Sequence, residues 1–357
     1  MTPLFTIAQN NMVQAKWGTS SSNLTYEGSL EDAFSSAKAD SSITYISLQK
    51  SISNYGDYYI FSSNQHITLD LNGYDISLGN GLIFSGKNTI ITIADSNPNN
   101  AYNGGKIYTG TNVGTDALKV LSGAVVNITA GQITGRNAIY IDSVSCVYVY
   151  GGTIIGGWAS KYGSSVENDG TLYVYGGDFR GGAAYESSIR MASPSSHTII
   201  SGGTFQKAKY GTVDYCLGKL DLSQYVSTEK ISIYNGTKDR LIPNVETIIL
   251  PENNCFYDDD NEAVYELLPF TKATYDVAPS TKYSITYTNN EETDIVYSYG
   301  KHCLKECFFE APEGRIFRSW LIEGVEYKPE QIIRISSDVV ATTLWQDYFT
   351  SCNRNGR

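Results

Sequence analysis

The chain has 357 residues, 18% of them charged, and a formal net charge of −11 at pH 7. Because phosphate binding needs clustered Lys and Arg, this balance argues against a nucleic-acid partner. No apolar run reaches about 18 residues, so no membrane span is predicted. The 33 Gly and 28 Tyr, with abundant Ser, Thr, Asn, Ile and Val, favour β structure. A chain of this length exceeds one ordinary core unless it is a repeat array that grows in one dimension.

Residues 1–42 are predicted to form an N-terminal segment with a cap helix. The first residues lack a basic stretch and a convincing apolar stretch, so the sequence as given is not expected to begin with a signal peptide. Ser29 is followed by two acidic residues and by apolar residues at helical spacing, which predicts a short amphipathic helix over 29–39. The apolar positions of this helix are Leu30, Ala33, Phe34 and Ala37. A strand over 43–52 then enters the first coil.

The central part of the chain is repetitive. Four segments share an alternating strand followed by glycine: VVNITAGQITG (125–135), VYVYGGTIIGG (147–157), LYVYGGDFRGG (172–182) and TIISGGTFQKA (198–208). Their equivalent glycines are Gly131, Gly152, Gly177 and Gly203, at spacings of 21, 25 and 26 residues. A fainter second row aligns DALKV (116–120), NAIYI (137–141), SSVEN (164–168) and SSIRM (187–191).

This period fits one rung of a β-helix, since a propeller blade needs about 40 residues and the leucine-rich-repeat signature is absent. The fold class predicted is therefore all-β, with a right-handed parallel β-helix over 43–240. Strand alternation points one set of side chains inward, namely Val147, Val149, Ile154, Leu172, Val174, Phe179, Ile200 and Phe205. Cys146 is predicted to be a small buried apolar residue, and the Gly-Gly pairs supply corners that need positive φ.

The outward positions of the first strand form two rows. One row contains Asn127, Tyr148 and Tyr173, and the next contains Thr129, Tyr150 and Tyr175. The four tyrosines make a two-by-two aromatic patch that we predict as a ligand-binding site, because a sugar ring can stack on aromatic rings and bond to their hydroxyls. The alternative is an aromatic ladder that only stabilises the sheet.

The outward row of the second strand set carries the candidate catalytic residues, which are Lys119, Tyr140, Glu167 and Arg190. In a lyase, Arg190 or Lys119 would neutralise a substrate carboxylate while Tyr140 or Glu167 moved a proton. The alternative is a plain Glu167–Arg190 ion pair. Glycosidase chemistry would need two facing carboxylates. No row holds two acids, although Asp116 lies on the same flank as Glu167, two rungs away.

Composition changes after residue 240, where prolines replace the Gly-Gly pattern, and residues 241–281 are predicted to be a linking region. The DDDNEA segment (258–263) could hold Ca²⁺ or be a solvated turn, and it lacks the glycine and final glutamate of an EF-hand loop. The three histidines, His66, His197 and His302, form no zinc motif. No metal site or other cofactor is predicted elsewhere.

Residues 282–347 contain strand-like segments around a G-x-x-F-x-x-W motif, followed by a tail at 348–357. The motif and its flanking strands are carried by Tyr283, Ile285, Tyr287, Tyr299, Gly300, Gly314, Phe317, Trp320, Asp338, Val340, Ala341, Leu344 and Trp345. This segment resembles the small β-grasp-like repeats of bacterial surface proteins, of the Listeria–Bacteroides (internalin B-repeat) type. It departs from them in Cys303, Cys307 and the longer interval created by Thr342 and Thr343. The β-helix is similar in architecture to the pectate-lyase-like solenoids of bacterial surface proteins.

The resemblance implies a bacterial extracellular or cell-surface protein whose C-terminal module is a spacer or adhesion unit. The function favoured by the sequence is a noncatalytic adhesin or carbohydrate-binding scaffold, with a polysaccharide or a host or cell-surface glycan as partner. The alternatives are a polysaccharide lyase or glycoside hydrolase acting on an acidic polysaccharide at the β-helix face, and a structural stalk without a ligand. A groove lined by the candidate catalytic row would favour the enzyme, and a flat exposed tyrosine patch would favour binding.

Overall fold

The structure, a computed structural model, describes most of the chain between residues 13 and 347. The described residues are 13–54, 59–62, 64–98, 104–109, 114–157, 163–181, 187–191, 193–206, 212–214, 217–225, 231–234, 248–251, 254–257, 263–264, 274–279, 283–298 and 301–347. The chain divides into two compact units, one of Met1–Pro251 with Leu267–Asp276 and the other of Glu252–Glu266 with Val277–Arg357.

The first unit is a parallel β-solenoid of about six turns, which confirms the predicted all-β repeat architecture. The parallel strands of its first sheet are Tyr45–Leu48, His66–Asp70, Ile90–Ala94, Val125–Ile128, Cys146–Val149, Thr171–Val174, His197–Ile200, Lys219–Asp221 and Ile248–Ile249. Those of the second sheet are Ile52–Asn54, Ile76–Leu78, Lys106–Thr109, Gln132–Thr134, Thr153–Ile155, Asp178–Arg180 and Thr204–Gln206. Those of the third sheet are Tyr59–Ser62, Leu82–Ser85, Leu118–Leu121, Ile139–Ile141, Val166–Asn168, Ile189–Arg190, Val213–Asp214 and Ile231–Tyr234.

The N-terminal segment covers the start of the solenoid with a helix and a hairpin. The predicted helix is confirmed at Leu30–Ala39, where Ser29 and Asp32 form a capping box and the four predicted apolar residues are buried. The strands Ala15–Ser20 and Asn23–Gly28 pair antiparallel, and the first of them also pairs antiparallel with the first solenoid strand. This hairpin was not predicted. Within the described part of the chain, no helix combines the length and apolar character needed to cross a membrane.

The rung register follows the repeat. Gly131, Gly152, Gly177 and Gly203 all have φ between 87° and 98°. A Cβ on Gly152 would lie 2.6 Å from the carbonyl oxygen of Gly131 on the preceding rung, so this corner requires glycine. The predicted inward residues are fully buried with one exception. Phe205 is half-buried because it lies on the edge strand of the second sheet, beyond which the described residues contribute no further strand.

Cys146 does not have the predicted position. Its neighbours Val147 and Val149 point into the core, so alternation places the Cys146 side chain on the outer face, where it is half-buried. Along the described part of the chain, Cys146, Cys303 and Cys307 are free thiols.

The region predicted as a linker contains short strands. Asn254–Tyr257 and Ala263–Val264 pair antiparallel, and Thr274–Pro279 forms a further strand. The candidate calcium segment lies outside the described residues, apart from Ala263.

The C-terminal module is a β-sheet unit, as predicted. Its strands are Tyr283–Thr288, Thr293–Ser298, Lys301–Cys303, Arg315–Ile322, Val325–Tyr327, Ile332–Arg334 and Val339–Asp347. Tyr283–Thr288 and Val339–Asp347 are parallel neighbours, while the other pairs in the module are antiparallel. Trp320 and Tyr287 are fully buried at its centre, whereas Trp345 is only partly buried. Tyr299 and Gly300 lie outside the described residues.

Candidate functional site

The four predicted tyrosines lie together on the outer face of the first sheet. Tyr148 and Tyr173 are paired in register on adjacent strands, with ring centroids 4.6 Å apart and planes 4° apart. Tyr150 and Tyr175 follow these strands and stack at 5.1 Å and 10°. The two stacks stand side by side, with centroids 6.3–6.4 Å apart within each rung. The predicted two-by-two patch therefore exists as two parallel stacks.

The stacking determines which parts of the rings a ligand can reach. Facing carbon atoms pack at about 3.5 Å, so parallel rings whose centroids are 4.6–5.1 Å apart are offset and overlap in part. The faces between Tyr148 and Tyr173, and between Tyr150 and Tyr175, are therefore partly covered. The exposed pair is Tyr150 and Tyr175, which are 51% and 47% exposed. Because the four rings stand in two stacks and do not form one flat surface, a sugar ring cannot stack on all four rings at once.

The Tyr148 hydroxyl and the Cys146 thiol lie next to each other at the patch. Burial, followed by a hydrogen bond with the Cys146 side chain, raises the pKa of Tyr148 to about 12. Burial likewise raises the pKa of the Cys146 thiol. At neutral pH these side chains add no charge to the patch.

The rungs on either side of the patch carry small or uncharged side chains. Asn127 pairs in register with Tyr148, and Ile199 pairs in register with Tyr173. In the other row, Thr129 precedes Tyr150 and Ser201 follows Tyr175. These residues donate equivalent backbone hydrogen bonds, Thr129 to Ile93, Tyr150 to Ile128, Tyr175 to Val149 and Ser201 to Val174.

The candidate catalytic row on the third sheet also has the predicted register. Lys119, Tyr140, Glu167 and Arg190 are paired on successive strands. Arg190 Nη1 lies 3.5 Å from Glu167 Oε1, which forms the predicted ion pair. The Tyr140 hydroxyl donates to Asp169 Oδ2 at 3.3 Å.

A buried amide links this row to Asp116. The Asn137 Nδ2 group donates to Glu167 Oε2 at 2.6 Å and to Asp116 Oδ1 at 3.0 Å. Asp116 also accepts from Arg136, through Nε at 3.2 Å and Nη2 at 3.0 Å. The two carboxylates that the sequence placed on one flank are thus tied together by Asn137. Sequence reasoning missed Asn137 and Arg136, although Asn137 occupies the same column as Asp116 in the repeat alignment.

The chemistry of this row favours structure over proton transfer. A tyrosine that acts as a base needs a pKa near the working pH, but burial, then the nearby carboxylates Asp169, Glu167 and Asp142, raise the pKa of Tyr140. Arg190, which would bind a substrate carboxylate, faces Glu167 instead. Glu167 and Asp116 are each held by the Asn137 amide and by an arginine, which is how partly buried charges are stabilised.

Across the part of the chain that the structure describes, no group of three His, Cys, Asp or Glu side chains could share a metal ion. In the C-terminal module, His302 lies within hydrogen-bonding distance of Tyr287 rather than near a second ligand, with Nε2 2.6 Å from the hydroxyl oxygen. The backbone N–H of Lys305 donates to the same hydroxyl oxygen.

In comparisons with known proteins, no family model, no curated protein and no solved structure matches the chain.

Proposed function

We propose that this protein is a noncatalytic extracellular scaffold of a bacterial surface and that it binds glycans through the tyrosine patch. The observation that carries the proposal is the placement of four ordered phenol groups on one solenoid face, two of them about half exposed. Tyrosine suits such a site because it joins an apolar ring to a hydroxyl that both donates and accepts hydrogen bonds.

The extracellular assignment is supported by the likeness of the C-terminal module to repeats of bacterial surface proteins. This likeness is carried by a motif of Gly314, Phe317 and Trp320. Within the module core, Trp320 is fully buried and Phe317 is partly buried. A folded unit of this kind would serve as a spacer or adhesion module.

The noncatalytic assignment is supported by the third-sheet row. Glu167 accepts hydrogen bonds from Asn137 and Arg190, and the hydroxyl of Tyr140 donates to Asp169. These groups are engaged with one another, so the row holds the rungs together.

A glycan array on the full chain tests the proposal, combined with an assay for unsaturated products released from uronic-acid polymers. The double variant Tyr150→Ala/Tyr175→Ala removes the exposed stack, and Tyr108→Ala is the matched control because Tyr108 lies on the second sheet. We expect the double variant to lose glycan binding and the control to keep it. Binding that survives the double variant would refute the role of the patch, and product release that depends on Glu167 would refute the noncatalytic assignment.

A further inference from the structure

We infer that the patch binds an uncharged glycan chain, and that its sugar rings pack against the two ends of the Tyr150–Tyr175 stack rather than on top of the patch. This inference rests on the proposed function and specifies both the ligand class and the binding position.

The ends of this stack are open because the row changes from tyrosine to small residues. Ser201 occupies the position after Tyr175, since both backbone N–H groups donate to the equivalent carbonyl of the rung before, at 2.9 and 2.8 Å. Thr129 occupies the position before Tyr150 in the same way. Neither side chain is long enough to cover a phenol ring, so the outer face of each tyrosine borders a step in the surface.

Each step offers an apolar face and a hydrogen-bond acceptor, the two features that a pyranose ring needs. The Thr129 hydroxyl donates to the carbonyl of Ile93 at 3.0 Å, and the Ser201 hydroxyl donates to the carbonyl of Val174 at 3.3 Å. Because each hydroxyl proton is used within the protein, its oxygen is oriented to accept a hydrogen bond from a sugar hydroxyl.

The charge distribution selects an uncharged ligand. From the rung of Asn127 to that of Ser201, the two rows contain only Asn, Thr, Tyr, Ile and Ser. An acidic sugar that loses water here would need Arg or Lys to replace its hydration. The net charge of −11 also repels polyanions.

The spacing of the steps indicates a chain rather than a single sugar. Thr129 and Ser201 are three rungs apart, which is about 14 Å at the usual strand spacing of about 4.8 Å. One glycan chain that runs along the solenoid axis can reach both steps, whereas one monosaccharide can reach only one.

The test covers the outer faces of Tyr150 and Tyr175 without removing the tyrosines and without adding a new ring. In Ser201→Leu and Thr129→Leu, an aliphatic side chain would lie against Tyr175 or Tyr150, as Ile199 lies beside Tyr173 in the neighbouring row. Thr153→Leu, on the outer face of the second sheet, is the matched control. Binding of β-glucan, xylan and mannan oligosaccharides, and of polygalacturonate, would be measured by titration calorimetry at low and high salt. Circular dichroism would confirm that each variant is folded.

We expect each step variant to bind the uncharged oligosaccharides about tenfold more weakly, the loss of roughly one aromatic contact, and the control to be unchanged. The double variant Tyr150→Phe/Tyr175→Phe keeps the ring faces and introduces no larger side chain. Its affinity for the uncharged oligosaccharides should stay within about threefold of the parent's.

Unchanged or tighter binding by the step variants, or a loss confined to the Phe variant, would overturn the binding position. Tyrosine-dependent binding of polygalacturonate that weakens with salt would overturn the ligand class and leave the proposed function intact. No tyrosine-dependent binding of any glycan would overturn the proposed function itself.

Discussion

Replacing Glu167 with Gln separates a structural role of the third-sheet row from a catalytic one. The carboxylate accepts from Asn137 Nδ2 at 2.6 Å and lies 3.5 Å from Arg190 Nη1. A glutamine side chain has only one oxygen, so it can accept from Asn137 or from Arg190 and must present its NH₂ group to the other donor. The substitution therefore breaks the network with almost no change in shape.

The two contacts differ in their expected contribution. A hydrogen bond to a charged group stabilises a protein by about 1.5–3 kcal/mol. The Glu167–Arg190 pair, whose side chains are 19% and 29% exposed, is partly screened by solvent and contributes about 0–1 kcal/mol. Because glutamine keeps one of the two contacts as a neutral hydrogen bond, we expect Glu167→Gln to lower the free energy of unfolding by about 1–2 kcal/mol.

Urea unfolding of the full chain, followed by far-ultraviolet circular dichroism, measures this change. Lys119→Gln is the matched control, since Lys119 lies in the same row and forms no ion pair with a described residue, and its effect should stay within about 0.5 kcal/mol. A Glu167→Gln variant as stable as the parent would contradict the structural role. If the parent protein released sugar products from a polysaccharide and the equally stable Glu167→Gln variant did not, the row would be catalytic.

Three further predictions concern the corners, the C-terminal module and the cap helix. Gly152→Ala and Gly203→Ala should both destabilise the solenoid by about 1–2 kcal/mol, because alanine is strained in the left-handed backbone conformation of these corners. Gly152→Ala should cost about 1–3 kcal/mol more, because its Cβ would meet a carbonyl oxygen at 2.6 Å, whereas a Cβ on Gly203 would meet nothing closer than 3.2 Å. Equal urea midpoints for the two variants would contradict this difference. Burial, then a nearby lysine, lowers the pKa of His302 below 6.5. The neutral imidazole therefore stabilises the module above pH 6.5, and this stability is lost as the pH falls through the pKa of the folded state. Thermal unfolding at pH 7.5 and pH 5, followed by tryptophan fluorescence, should show the loss, and a His302→Gln variant with the same pH dependence would refute the assignment to His302. Ser29→Ala removes the side-chain acceptor of the capping box and should cost about 1 kcal/mol, whereas Ser29→Gly should cost only a few tenths, as thermal denaturation can check.

The repeat register was predictable because solenoid rungs stack with a fixed side-chain alternation. Once Gly131 and Gly152 are aligned, every inward and outward position between them follows. The same alignment correctly paired Lys119, Tyr140, Glu167 and Arg190. Cys146 was misplaced since its burial was assigned from residue type and not from its position in the alternation.

Contacts between rungs depend on side-chain conformation, which a one-dimensional pattern does not carry. The alignment placed Tyr148 beside Tyr173, but only the structure shows that their rings stack in parallel, with centroids 4.6 Å apart. Likewise, the hydrogen bonds of Asn137 depend on how its amide is turned between two carboxylates.

The sequence by itself determined the repeat, the rows and the cap helix, because local periodicity dictates which side chains face the core. Only the tertiary structure decided that the tyrosine patch is two parallel stacks and that Glu167 and Asp116 are engaged by neighbouring donors. Both features arise where successive rungs meet, and the distances and ring orientations between rungs are set by packing in three dimensions.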